Sequence, residues 1–298
     1  MSAGTGRSGL RIEAEPGLFL HVESEGSGPP LLLLHGFTGT GRGLAEFSAP
    51  LRERFRCLRV DLVGHGQSDA PRELGPYSMQ RCVAQLARVL DALSLPRAHL
   101  FGYSMGGRCA LALACAEPAR VASLALVGAS AGIADPAARA ARARDDEALA
   151  LSLERDGLPA FVARWMAQPL FASQARLGDA FLARARAERL AQRAHGLANS
   201  LRGMGSAAQA PLFDRLPQLA LPVLLLVGAE DAKFAAIARD LAARLPRARV
   251  AQIPQAGHAA QLENPGACLQ ALEAHLRESC EAPPSGAPPR TLEARVSP

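Results

Sequence analysis

Lysine is almost missing from this chain: Lys233 is the only one among 33 lysine and arginine positions in 298 residues. Aromatic residues are nearly as scarce, with one tryptophan, two tyrosines and ten phenylalanines. Without a basic cluster interleaved with aromatics, the net charge of +5 does not read as a nucleic-acid surface. Arginines dispersed through Ala/Leu-rich stretches read mainly as solvated helix faces, and they suit a site for a multiply anionic small molecule better. No apolar run approaches the roughly 20 residues that a membrane-spanning helix needs. The six cysteines (Cys57, Cys82, Cys109, Cys115, Cys268, Cys280) show no C-x-x-C spacing. That argues against a zinc site or disulfide frame and for free thiols in a reducing compartment. Residues 1–9 lack the charged-then-apolar order of a signal peptide. These absences point to a cytoplasmic globular chain with no metal, and they leave open whether it is a monomer or small homo-oligomer.

What is present alternates. A hairpin is expected over residues 11–14 and 18–22, turning at Pro16-Gly17, and a strand buried on both faces over 30–34. Helical and strand patterns follow in turn: helix 43–53, strand 57–60, helix 79–93, strand 98–101, helix 106–117, strand 121–127. This rhythm implies an α/β fold, a mostly parallel central sheet with helices on both faces. It stops between residues 129 and 216, where only Ala/Arg/Leu-rich helical segments occur, punctuated by Gly157, Pro159, Pro169, Gly178 and Gly203. It resumes with strand 222–227, helix 232–244, strand 248–253 and helix 265–278. The expected organisation is therefore a core of residues 1–128 and 217–280, a helical cap inserted at 129–216, and a disordered Pro-rich tail at 281–298.

The decisive stretch is Gly102-Tyr103-Ser104-Met105-Gly106, set between a strand and a helix. A serine at the tip of such a turn is the nucleophile elbow of the α/β-hydrolase fold, with small residues letting strand and helix approach. His35-Gly36-Phe37-Thr38-Gly39, after the first buried strand, offers the Phe37 N–H to pair with that of Met105 as oxyanion donors. Asp231 and His258 follow the last two strands, in the order Ser104, Asp231, His258 that this fold uses for its triad. Glu230 competes with Asp231 for the acid role; Asp231 sits one residue further into its loop. Residues 61–69 read as scaffold, although His65 and Asp69 mimic a dyad.

Beyond the fold, Tyr103 to Arg108 and Gly228 to Phe234 resemble one family, the 2-succinyl-6-hydroxy-2,4-cyclohexadiene-1-carboxylate synthases of menaquinone biosynthesis. Residues 256–265, the cap stretch Trp165-Met166-Ala167-Gln168-Pro169-Leu170-Phe171 and residues 196–205 agree with it, so the resemblance covers about residues 30–278. It implies a cofactor-free lyase that removes a proton from the succinyl side of a cyclohexene substrate and expels pyruvate. Ser104, His258 and Asp231 would carry the proton, and the Phe37 and Met105 N–H groups would hold the developing enolate oxygen. Arg108, Arg142 and one of Arg186 or Arg189 (Arg189 by counting back from Leu197) would bind the three carboxylates. Tyr103, Trp165 and Phe171 would line the pocket, and Lys233 also matches. Leu44 and Phe47 stand where many relatives have tryptophan, and Gln261 where a histidine is common. Arg139, Arg144, Arg155, Arg164 and Arg193 read as solvated. The triad alone serves equally a serine hydrolase acting on an ester or C–C bond, and a silent binding protein of this fold is the rival from another class.

Overall fold

The computed structural model describes residues 8–281. Eight strands form one sheet in the order β1-β2-β4-β3-β5-β6-β7-β8: β1 (Ser8–Glu15), β2 (Leu18–Glu25), β3 (Pro30–Leu34), β4 (Arg56–Val60), β5 (Ala98–Tyr103), β6 (Val121–Val127), β7 (Val223–Gly228) and β8 (Ala248–Ile253). The β1–β2 hairpin and the β2–β4 pairing are antiparallel, and the remaining pairings are parallel. The helices are α1 (Ala45–Ser48), α2 (Met79–Ala92), α3 (Met105–Ala116), α4 (Pro136–Met166), α5 (Gly178–Leu190), α6 (Ala194–Met204), α7 (Ala232–Arg244), α8 (Ala260–Glu263) and α9 (Pro265–Glu281).

Strand alternation explains the two-sided core. Leu32 and Leu34 of β3, with Val223 and Leu225 of β7, face α2, α3 and α7. Leu31, Leu33, Leu224 and Leu226 face the opposite side, against Phe47 and Leu51 and the α9 residues Leu272 and Leu276. Each of these fully buried leucines contributes about 1.5–3 kcal/mol of transfer free energy. The helix expected over 43–53 is not continuous. It is a 3-10 turn, the four-residue α1 and a second 3-10 turn opening at Ala49-Pro50, because proline has no N–H to continue the helix.

Between β6 and β7 the described residues contain no strand. Helices α4 and α6 pack there around a small core of their own, including Leu153, Phe161, Val162, Leu197 and Leu201. Arg202 of α6 grips Glu147 and Glu154, two turns apart on α4, with N···O distances from 2.6 to 3.0 Å. Helix α4 breaks at Gly157 (φ 77°, ψ 172°), a conformation that only glycine adopts freely, just before Pro159. Apart from Glu281, which ends α9, the expected 281–298 tail lies outside the described residues. The chain runs from β3 towards β4 on one side and later to β5 on the other. The order in which strands are added therefore reverses between the parallel strands β3 and β5, where open α/β sheets hold their ligands.

Candidate active site

The turn between β5 and α3 is strained. Ser104 has φ 50° and ψ −108°, and its N–H is held by Val127 O at 2.8 Å. Small neighbours make this possible. A Cβ on Gly106 would sit 2.4 Å from Leu34 O, and one on Gly102 would sit 2.5 Å from Gly106 O. The strain lifts Ser104 to the floor of a cavity of about 1030 Å³.

Ser104 Oγ–H points at His258 Nε2, 3.1 Å away, and His258 Nδ1–H donates to Asp231 Oδ2 at 2.9 Å. The other oxygen of Asp231 accepts the Phe234 N–H at 3.1 Å, so one carboxylate both caps α7 and fixes the imidazole. Burial disfavours that carboxylate. Hydrogen bonds from His258 and the Phe234 N–H, with the charges of His258 and Lys233, outweigh it and keep its pKa below the ordinary aspartate value. Glu230 faces elsewhere: both its oxygens accept from Arg176, at 2.6 and 2.9 Å. Such a chain can move a proton from Ser104 to His258 while Asp231 stabilises the imidazolium.

Phe37 and Met105 line the same cavity, and the Met105 N–H lies in the first turn of α3, where a helix leaves its amides without internal partners. His35 braces the Phe37 loop. Its Nδ1–H donates to Gly36 O at 2.8 Å and its Nε2 accepts the Leu62 N–H at 3.0 Å, while burial lowers its pKa and keeps it neutral. Asp61 is scaffold, accepting the Gly41 and Gln67 N–H groups at 2.7 and 2.8 Å. His65 is buried against the His35 ring, its pKa pulled well down by desolvation.

Aromatic side chains form the roof. Trp165 meets Phe37 edge-on at 5.1 Å, and Phe171 lies between Trp165 and the His258 ring. Tyr103 and Phe234 also flank His258, with ring centroids at 5.4 and 4.5 Å. Phe234 closes the Gly228–Phe234 segment that resembles the family, whereas no motif marked Phe161 in the sequence.

The cations of the cavity are unusual in their partners. Arg108, 8% exposed, donates to Met204 O (2.6 Å) and Gln209 Oε1 (3.1 Å), both neutral. Arg189 donates to Ala185 O at 2.7 Å, and its Nε is buried with no partner. Desolvation lowers the pKa of both guanidiniums. Arg142 and Arg184 differ, paired with Asp146 at 2.8 Å and with Glu46 at 3.9 Å. Arg189 lines the cavity, whereas Arg186 is exposed and does not. One buried and one half-buried cation, hydrogen-bonded only to neutral oxygens on the wall of one cavity, favour an anionic ligand.

The matching family model, described as the alpha/beta hydrolase fold, covers residues 29–265. The chain is 34% identical over 256 residues to the 2-succinyl-6-hydroxy-2,4-cyclohexadiene-1-carboxylate synthase of Serratia proteamaculans, spanning 86% of this chain and 94% of that one. A Bacillus subtilis protein provisionally given the same name is 39% identical over 258 residues, with the same two coverages. The chain belongs to the 2-succinyl-6-hydroxy-2,4-cyclohexadiene-1-carboxylate synthase family. The structure of MenH from S. aureus superposes with a TM-score of 0.82 at 30% identity, covering 85% of this chain and 94% of that one. A thermophilic esterase from Thermogutta terrifontis gives 0.79 at 28% identity, over 92% and 99%, so the fold of this synthase family is shared with hydrolases.

One reading of the arginines is corrected. Arg193 is not a solvated helix residue: its guanidinium donates to the backbone oxygens of Gly66 and Ser68. With Gln192, which donates to Thr38 O and Gly39 O and accepts from the Gly66 N–H, it ties the α5–α6 joint to the 38–39 and 66–68 loops. Arg155 and Arg164 do lie on the surface, both paired with Asp156.

Proposed function

We propose that this enzyme eliminates pyruvate from 2-succinyl-5-enolpyruvyl-6-hydroxy-3-cyclohexene-1-carboxylate, giving 2-succinyl-6-hydroxy-2,4-cyclohexadiene-1-carboxylate in menaquinone biosynthesis. The observation that carries the reading is the pair of guanidiniums, Arg108 buried and Arg189 half-buried, that are hydrogen-bonded to neutral oxygens in the cavity of Ser104. Each is ready to exchange those weak partners for a carboxylate, with Arg142 as the third cation of the clamp. The helical segment at 129–216 acts as the cap that supplies Arg142, Trp165, Phe171 and Arg189 and shuts water out.

Ser104, with His258 as proton acceptor and Asp231 as its counter-charge, takes the proton from the ring carbon beside the succinyl ketone. The electrons move onto the ketone oxygen, which the Phe37 and Met105 N–H groups stabilise. As that enolate collapses, the ring gains its second double bond, the carbon–oxygen bond to the enolpyruvyl group breaks, and the enol leaves. The abstracted proton balances the departing enolate, which becomes pyruvate. No bond to Ser104 forms, and no resident metal or organic cofactor is called for. The buried free thiols Cys57, Cys82, Cys109, Cys115 and Cys268 support a cytoplasmic location.

The triad geometry also serves ester cleavage through an acyl-enzyme, and the likeness to an esterase keeps that reading in view. Parallel assays of pyruvate release and p-nitrophenyl ester cleavage separate the two. The synthase reading requires fast pyruvate release and negligible ester turnover; brisk ester cleavage without pyruvate contradicts it.

A further inference from the structure

We propose that Glu263 is a positioning residue for the reaction: it holds His258 in line with Ser104 through the backbone on both sides of the histidine, and Arg176 of the cap is its counter-charge. The proposal rests on the assignment of Ser104, His258 and Asp231 as the reacting set. The side chain of Glu263 is 1% exposed and lies in α8, which follows the His258 loop. Its Oε2 accepts the Gly257 N–H at 2.8 Å and its Oε1 accepts the Ala259 N–H at 3.2 Å. One carboxylate therefore holds the N–H groups of the residues on either side of His258, and the backbone that carries the imidazole cannot shift without straining one of those bonds.

A buried carboxylate needs a cation. Arg176 lies 3.5 Å from Glu263 Oε2 and at the same time grips Glu230, the residue before Asp231. A single cap arginine thus reaches the carboxylate that braces the His258 loop and the carboxylate next to the aspartate. The cap packs closely here: a Cβ on Gly257 would meet Ser173 Oγ at 2.2 Å. Seating of the 169–177 segment, which carries Phe171 over the His258 ring, is coupled to the alignment of the histidine by these contacts.

Glu263→Gln keeps the shape but sets an amide NH2 against one of the two backbone N–H groups. The measurements are kcat and KM for pyruvate release, the downfield proton signal of the His258 Nδ1–H, and thermal melting. Displacement of a reacting group by about 1 Å can cost up to about 100-fold, so Glu263→Gln should lower kcat by about 10- to 100-fold, with KM changed by less than about threefold. The downfield signal should shift or broaden. Arg176→Gln, which leaves both backbone bonds intact, should act in the same direction by about 3- to 10-fold, and it keeps the test open where Glu263→Gln fails to fold. An unchanged signal and an unchanged kcat per folded molecule in either variant that folds would overturn the role of Glu263, whatever the melting point does. A wild-type chain that releases no pyruvate contradicts the synthase reading instead, since the proton signal reads the His258–Asp231 bond independently of substrate.

Discussion

A guanidinium buried without a carboxylate is costly to keep, and Arg108 is such a group. Loss of one charge-assisted contact is worth about 1.5–3 kcal/mol, so Arg108→Ala should lower kcat/KM for pyruvate elimination by about 10- to 100-fold. Cleavage of a small uncharged ester, if any, should barely change; equal losses on both substrates would remove the clamp argument. The serine, the histidine and the aspartate were legible in the sequence because each closes a strand with a polar residue among glycines. Arg189 emerged only as one of two choices, and of the two it alone lines the cavity. Glu263 fell within the 256–265 segment that resembles the family, but its bonds to the Gly257 and Ala259 N–H groups were not foreseen, and Arg176 and Gln192 were not marked at all. The partners of Arg176 and Gln192 are carboxylates and backbone groups brought near by the fold, and no spacing in the chain encodes that.

At the scale of elements, the approach of β5, α3 and β3 sets the site. Gly106→Ala would force a methyl to within 2.4 Å of Leu34 O and 2.5 Å of His35 O. Helix α3 and the oxyanion loop must then separate. The expected cost is about 1–3 kcal/mol of stability by chemical denaturation, together with a loss of kcat that the fraction folded does not explain. Unchanged activity in the folded variant would show that the elbow tolerates a wider gap. Strands 121–127 and 248–253 were legible to the residue: the first is an apolar run stopped by Gly128, and the second, an edge strand carrying Arg249 and Gln252, is stopped by Pro254. The 43–53 segment was not: its apolar spacing is helical, yet Pro50 divides it into turns. The single helix at 136–166 hides a break that Gly157 and Pro159 announce in the sequence, although its direction depends on packing against α6.

Across the whole molecule, buried histidines link stability to pH. Burial lowers the pKa of His99 and of His275 to about 4 from an ordinary 6.5. The unfolded chain therefore binds these two protons at higher pH than the folded one does. Stability is intact above about pH 6.5 and falls as the pH drops towards 4, by up to about 1.4 kcal/mol per pH unit for each histidine. His35 and His65, also lowered, push in the same direction. Urea denaturation at pH 7.5 and pH 5 should show a clearly lower midpoint at pH 5, and the difference should shrink when His99 and His275 are both replaced by apolar residues. A midpoint independent of pH over that window would contradict the buried, neutral state of these rings.

Expulsion of pyruvate by Ser104 and the arginine-lined cavity, rather than ester cleavage, is open to a single measurement. This is steady-state pyruvate release from the enolpyruvyl-succinyl-cyclohexene substrate, in the wild-type chain and in Ser104→Ala. Release should be rapid and fall by about three orders of magnitude or more in Ser104→Ala, as expected when a general-base system is removed. Absence of release in the wild-type chain, or release that survives in Ser104→Ala, would contradict it.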